Sequence, residues 1–123
     1  MVLSGDTTFN ENLIAHSKNV DLLVHEVTYG MGQGVERSNL ERIRQNHTVP
    51  EDAGKVFALT RPKLAVYTHI LLFGEATATD LLPATRSVYD GPLLVGEDLM
   101  QFDIGDKVEG SQYVPSTDTT AKR

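Results

Sequence analysis

The chain has 123 residues, 40% of them hydrophobic, which is enough for one globular domain or a large part of one. It contains no cysteine, so disulfides, zinc–thiolate sites and cysteine nucleophiles are excluded. Because the net charge is −6 and no apolar run approaches the length of a membrane-spanning helix, we expect neither a nucleic acid nor a membrane as partner.

The first third of the chain is predicted to form one strand, a helix and then a second strand. Residues 2–7 have the character of a strand end, and residues 10–17 show helical spacing of apolar side chains. The apolar run 21–27 turns polar at its end, which is typical of a buried parallel strand that opens into a site. A glycine-rich loop at 29–34 and a short charged helix at 38–45 should follow.

The middle of the chain repeats the pattern of helix and strand. Residues 48–51 match a capping box with proline in the first helical turn, and they predict a helix over 49–59. The apolar residues 64–67 predict a second buried strand, which ends in a histidine. Residues 80–89 have the pattern of a further helix.

The end of the chain predicts a β-hairpin followed by a flexible tail. Residues 92–95 and 99–104 are expected to form two strands joined by a tight turn. From residue 109 onward the chain is polar, so we expect a domain over 1–108 and a flexible tail over 109–123. Two αβ connections and a closing hairpin indicate the α/β class.

Acidic and imidazole side chains follow the predicted strands at the point where each strand ends. They are Asp6, the pair His25 and Glu26, and His69, while His47 directly precedes a helix. Ligands bind beyond the carboxyl ends of strands in α/β sheets, and carboxylate with neutral imidazole is a donor set suited to a divalent metal. Taken singly, these residues also have structural interpretations, as turn, core or helix-terminal polar groups.

Four short motifs in this region occur in a characteristic order and spacing. They are Ser-Gly-Asp-Thr at 4–7, His-Glu-Val-Thr at 25–28, His-Thr-Val-Pro-Glu-Asp-Ala at 47–53 and Thr-His-Ile at 68–70. Their arrangement resembles the metallo-β-lactamase superfamily, especially its ribonuclease Z and arylsulfatase-like hydrolases, and residues 85–100 are most similar to the arylsulfatase-like branch. The resemblance implies the C-terminal βα half of an αβ/βα four-layer sandwich.

The resemblance also implies a role for each of these residues. Asp6 matches the carboxylate that bridges two zinc ions, and His69 matches a terminal zinc ligand. His47 matches a catalytic histidine that stabilises charge on the substrate or protonates the leaving oxygen. His25 and Glu26 match a pair that orients ligating imidazoles without binding metal. Position 27, where alanine is usual, and the longer segment 30–46 depart from the ribonuclease pattern, so we expect that segment to alter substrate choice.

A hallmark of the superfamily, the motif His-x-His-x-Asp-His, does not occur in this sequence. We therefore expect the chain either to be a fragment or to be completed by a second chain, and to bind zinc weakly or not at all by itself. A missing N-terminal half, or that second chain, would cover an exposed apolar face of the sheet.

The resulting interpretation is the C-terminal portion of a zinc-dependent hydrolase of phosphate or sulfate esters, inactive alone and acting on a small ester when complete. One alternative is a ribonuclease Z-like phosphodiesterase. The other is a non-catalytic fragment or interaction module that retains relic site residues.

Overall fold

A computed structural model of the chain describes residues 1–32 and 34–113. A four-stranded parallel sheet, with its strands side by side in chain order, consists of β1 (Val2–Leu3), β2 (Leu22–Tyr29), β3 (Leu64–Leu72) and β4 (Leu93–Val95). A separate antiparallel ribbon consists of β5 (Gln101–Ile104) and β6 (Val108–Ser111). The helices are α1 (Glu11–His16), α2 (Arg37–Asn46), α3 (Pro50–Thr60) and α4 (Leu81–Arg86), the last preceded by a 3-10 turn at Ala78–Asp80.

The main core lies between one face of the sheet and the helices. Side chains of α1, α3 and α4 pack there against alternate residues of β2, β3 and β4. Phe57 of α3 is central: its ring centroid lies 5.5 Å from that of Tyr67 on β3 and 5.5 Å from that of Tyr89. The Tyr67 hydroxyl is satisfied inside this core by the Thr85 hydroxyl of α4 at 2.6 Å. The expected α/β class is confirmed, and helices cover this face of the sheet.

The opposite face of the sheet carries a smaller apolar cluster. Leu22, Leu64 and Val66 are buried there, and Phe102 and Val108 of the β5–β6 ribbon pack against them. The ribbon covers part of the face that the sequence led us to expect exposed, so the uncovered apolar surface is smaller than predicted. Leu3 and Leu99 are among the large apolar side chains that stay exposed, at 63% and 74%.

The predicted hairpin of residues 92–104 was wrong. Strand β4 pairs in parallel with β3, whereas β5 pairs with β6, so the two predicted partners lie in different sheets. Gly96 continues the parallel pairing, because its N–H donates to the carbonyl of Tyr67 at 2.8 Å. The hairpin in the structure is β5–β6, which extends three residues past the predicted start of the tail. Residues 114–123 of that tail lie outside the described residues.

Two helix predictions also need correction. The N-cap of α3 is Val49, and the Thr48 hydroxyl donates to the carbonyl of Thr7 at 2.5 Å, so the expected capping box does not form. A capping box is present instead at the 3-10 turn that precedes α4. Helix α4 ends at Arg86, three residues earlier than predicted.

Among the described residues, no helix is long and apolar enough to cross a membrane.

Candidate active site

The carboxylate of Glu26 holds together three segments that meet at the carboxyl end of the sheet. Its Oε1 accepts hydrogen bonds from the backbone N–H of Thr7 at 3.0 Å and from Nδ1 of His47 at 3.1 Å. Its Oε2 accepts from the backbone N–H of Thr48 at 3.4 Å. The Glu26 side chain is 1% exposed. The loop after β1 and the segment before α3 are therefore fixed to β2 by one buried group.

Burial raises the pKa of Glu26, because a carboxylate removed from water loses solvation. The two backbone N–H donors, from Thr7 and Thr48, and the neighbouring His47 act in the opposite direction and favour the charged form. The arrangement suits a carboxylate that accepts hydrogen bonds and stabilises positive charge on an imidazole.

The imidazole of His47 follows α2 directly and reaches the site from the side of α3. Its Nδ1 contacts Glu26, and its Nε2 has no hydrogen-bond partner within residues 1–32 and 34–113. The ring is 14% exposed, and its centroid lies 5.8 Å from that of His69. One nitrogen is thus held by a buried acceptor while the other remains available to a ligand.

A β-bulge positions His69. Strand β3 pairs Thr68 with Glu26 and Ile70 with Val27, so His69 is an extra residue without a partner on β2. Its φ of 44° lies in the left-handed region, where a non-glycine residue is strained by about 1–3 kcal/mol. Bulges beside active sites commonly redirect a side chain. Nδ1 of His69 lies 3.2 Å from Oδ1 of Asp6.

Asp6 joins this group from the turn after β1. That turn is attached to β2 because the N–H of Glu26 donates to the Ser4 hydroxyl at 3.0 Å. One potential ligand atom each from Asp6, His47 and His69 lies within 4.8 Å of the other two. Asp6 and His69 are 62% and 56% exposed, so the cluster opens to solvent. The resemblance placed His47 on the substrate side, and the structure brings one of its ring nitrogens within 4.8 Å of the two candidate ligands.

His25 is separated from this cluster and lies in the helical core. Neighbouring strand residues point to opposite faces, so the side chains of His25 and Glu26 diverge. Nδ1 of His25 donates to the carbonyl of Glu26 at 2.7 Å, and the ring meets that of Phe57 edge-on at 5.9 Å. Its Nε2 is buried without a partner among the described residues, and burial lowers the pKa of His25. Of the expected orienting pair, only Glu26 contacts a side chain of the cluster.

A cleft of about 510 Å³ opens beside His47. Its lining comes from the end of β2, the loop after it, the last turn of α2 and the start of α3: Tyr29, Gly30, Met31, Arg44, His47, Val49, Glu51 and Asp52. The volume lies in the range of small-molecule sites. Arg44, one turn before His47, lines this cleft, and no motif in the sequence indicates that position.

No family model matches the chain. Among curated proteins it is similar to ribonuclease Z of Haloarcula marismortui, with 30% identity over 101 residues, or 81% of this chain and 30% of that protein. Ribonuclease Z of Myxococcus xanthus is 31% identical over 98 residues, or 80% of this chain and 30% of that protein. A Prochlorococcus marinus ribonuclease Z is 38% identical over 92 residues, covering 72% of this chain and 28% of its own length. The chain thus spans about 30% of the length of these relatives.

A solved structure gives an independent comparison of the fold. The metallo-β-lactamase fold protein YhfI from Bacillus subtilis superposes with a TM-score of 0.62 at 19% identity, and the match covers 89% of this chain and 39% of YhfI. At this level of identity the similarity concerns the fold alone.

Proposed function

Because the chain is a partial-length relative of ribonuclease Z and shares the metallo-β-lactamase fold, we propose that it forms one part of the active site of a metal-dependent phosphoester hydrolase. The observation that carries this proposal is the convergence of Asp6, His47 and His69 within 4.8 Å, with His47 held by the buried Glu26. A ligand cluster and an oriented imidazole at the carboxyl end of a parallel sheet are the features expected of such a site.

The donor set fits zinc in kind, and it supplies two ligands when His47 is assigned to the substrate. One carboxylate and imidazole nitrogens are donors that zinc accepts, and a catalytic ion takes three protein ligands with one open position. We assign Asp6 and His69 as ligands, as the resemblance implies, so the remaining donors of a two-ion centre would come from outside the described residues. Zinc, when bound, would act as a Lewis acid toward the ester.

In this proposal His47 delivers a proton to the leaving oxygen. The Glu26 carboxylate only accepts, so Nδ1 of His47 carries the hydrogen between them, and the ring can release or take a proton at Nε2. As a cation, His47 donates the Nε2 proton to the departing oxygen, and the buried carboxylate stabilises the imidazolium until that transfer. In this step His47 is the general acid, and Glu26 holds its ring in position.

We propose a phosphodiester rather than a sulfate ester as the substrate class. The curated relatives reported above are all ribonuclease Z, and none points to sulfate esters. The net charge of −6 is unfavourable for a long polyanion. Helix α2, which borders the cleft, offsets this locally because it carries three arginines and one glutamate.

The test is complementation. We would coexpress the 123-residue chain with the N-terminal portion of the Myxococcus xanthus ribonuclease Z and measure zinc-dependent turnover of bis(p-nitrophenyl) phosphate and p-nitrophenyl sulfate. We expect turnover of the phosphodiester, reduced about 100-fold or more by His47→Gln, since general acid catalysis contributes about 10²–10⁴-fold. The matched control is His16→Gln, because His16 is an exposed residue of α1. A zinc-loaded, folded complex without turnover would favour the alternative of a non-catalytic module with relic residues.

A further inference from the structure

Arg44 places a cation in the lining of the cleft beside His47. It lies in the last turn of α2 and is exposed. Within residues 1–32 and 34–113, its guanidinium makes neither a salt bridge nor a hydrogen bond. Because it has no partner in this part of the chain, the guanidinium is available to an anionic ligand in the cleft that it shares with His47.

The lining of the cleft also includes two acidic residues, one of which is already paired. Glu51 and Asp52 lie in the first turn of α3, and Oδ1 of Asp52 accepts from Nζ of Lys55 at 3.1 Å. A bare anion in the cleft would therefore meet carboxylates as well as Arg44. Only a ligand that brings its charge to Arg44 and keeps a neutral part toward α3 avoids this repulsion.

Apolar side chains also line the cleft. Tyr29, Met31 and Val49 are all partly buried there, so they offer a surface for a planar ring or other apolar group. The backbone of Gly30, which also lines the cleft, is constrained as well. Gly30 has a φ of 83°, and a Cβ placed there would lie 2.3 Å from the carbonyl oxygen of Phe73.

We propose that Arg44 is a substrate-positioning residue, which binds the anionic group of the ester while Tyr29, Met31 and Val49 receive a ring on the leaving-group side. The proposal rests on the proposed hydrolase function and adds to it which side of His47 the leaving group occupies. It also gives a physical reason for the longer segment 30–46, which supplies both the arginine and one wall of the cleft.

The test measures binding to the zinc-free chain, so that it does not depend on turnover. Three probes would be titrated into the 123-residue chain and followed by amide chemical shifts in NMR: p-nitrophenyl phosphate, inorganic phosphate and the neutral 4-nitrobenzyl alcohol. The variants are Arg44→Gln, Tyr29→Leu and, as a control with the same change of charge, Arg37→Gln at the opposite end of α2.

We expect p-nitrophenyl phosphate to bind more tightly than either partial probe and to shift residues of the cleft. Arg44→Gln should weaken its binding about fivefold or more and leave the neutral alcohol unaffected, because the substitution removes a charge-assisted hydrogen bond that only the anionic probes can form. Tyr29→Leu should weaken both ring-bearing probes, and Arg37→Gln should change binding less than twofold.

Three results would overturn the proposal. They are equal effects of Arg44→Gln and Arg37→Gln, inorganic phosphate binding as tightly as p-nitrophenyl phosphate, and no binding of p-nitrophenyl phosphate by the unsubstituted chain at millimolar concentration. The complementation experiment can succeed or fail independently of these results, so a failure of the Arg44 assignment is distinguishable from a failure of the hydrolase assignment.

Discussion

The Nδ1 atom of His47 lies 3.1 Å from Oε1 of Glu26, and the carboxylate that holds it is 1% exposed. The same carboxylate accepts the backbone N–H groups of Thr7 and Thr48. Glu26 therefore has two functions in this account: it fastens the segments that carry the site to the sheet, and it orients the imidazole that we propose as proton donor.

Removing the Glu26 carboxylate should destabilise the fold. Glu26→Ala leaves two backbone N–H groups and one imidazole N–H without an acceptor, and we expect a loss of about 3 kcal/mol, since each buried unsatisfied group costs about 1–3 kcal/mol. Glu26→Gln should lose less, because the amide oxygen still accepts. Urea unfolding gives both values, with Glu109→Ala on the exposed face of β6 as control. A loss below about 0.5 kcal/mol, typical of an unimportant surface site, would show that Glu26 is not an anchor.

His25 should make the chain sensitive to mild acid. Burial lowers its folded-state pKa below the ordinary value of 6.5, so its contribution to stability is present above pH 6.5. That contribution is lost as the pH falls through 6.5 and toward the folded pKa, because the unfolded chain takes up the proton first. Glu26, whose folded-state pKa is raised, changes stability in the opposite sense, because its contribution is lost as the pH rises from 4.5 through that raised pKa.

The measurement is the free energy of unfolding at pH 7.5, 6.5 and 5.5 for the unsubstituted chain and for His25→Leu. We expect a smaller loss on acidification in the variant, with a difference of at most about 1.4 kcal/mol per pH unit for one proton. His16→Gln removes an exposed histidine and should keep the full pH dependence. Parallel pH profiles for the chain and His25→Leu would contradict the prediction.

Alanine substitutions at Gly30 and Gly32 distinguish the effect of steric crowding from the effect of backbone conformation. Both have positive φ, 83° and 109°, but a Cβ at Gly30 would lie 2.3 Å from a backbone oxygen, and one at Gly32 has nothing within 4 Å. Gly32→Ala should carry only the conformational penalty, about 1 kcal/mol. Gly30→Ala should cost about 1–3 kcal/mol more, because the loop must move away from Phe73. Thermal unfolding would compare them, and equal melting temperatures would show that the contact with Phe73 is not constraining.

The bulge predicts an unusual order of stability at His69. Alanine normally suits a strand better than glycine, but at a φ of 44° the alanine Cβ is strained and glycine is not. We expect His69→Gly to be more stable than His69→Ala by about 1 kcal/mol. Denaturant unfolding decides this, and the normal order, with alanine more stable, would mean that His69 does not occupy the left-handed region in solution.

The sequence predicted the layered architecture well because the buried strands and the amphipathic helices have clear periodicity. The strand ends also predicted the meeting of Asp6 and His69, since parallel strands share one carboxyl edge. The side chains of His25 and Glu26 point to opposite faces because side chains alternate along a strand. The family resemblance, which treats the two residues as a pair, did not indicate this difference.

Other features of the structure could not be predicted from the sequence. The bulge at His69 depends on a register shift between β2 and β3 that the tripeptide Thr-His-Ile does not encode by itself. The hairpin predicted over residues 92–104 was wrong for a similar reason. Residues 96–98 have the composition of a turn, but the strand before them, β4, pairs with β3 and not with the strand that follows. Thr48 matches the pattern of a capping residue, but its hydroxyl donates instead to the carbonyl of Thr7, which is distant in sequence.

Zinc titration of the isolated 123-residue chain by calorimetry tests whether Asp6 and His69 belong to a metal site whose other donors lie outside the described residues. We predict binding at about 10 µM or weaker, abolished by Asp6→Asn or His69→Gln, together with no turnover of bis(p-nitrophenyl) phosphate, because two protein ligands do not complete a catalytic zinc site. Tight stoichiometric binding with turnover by this chain alone would contradict the account.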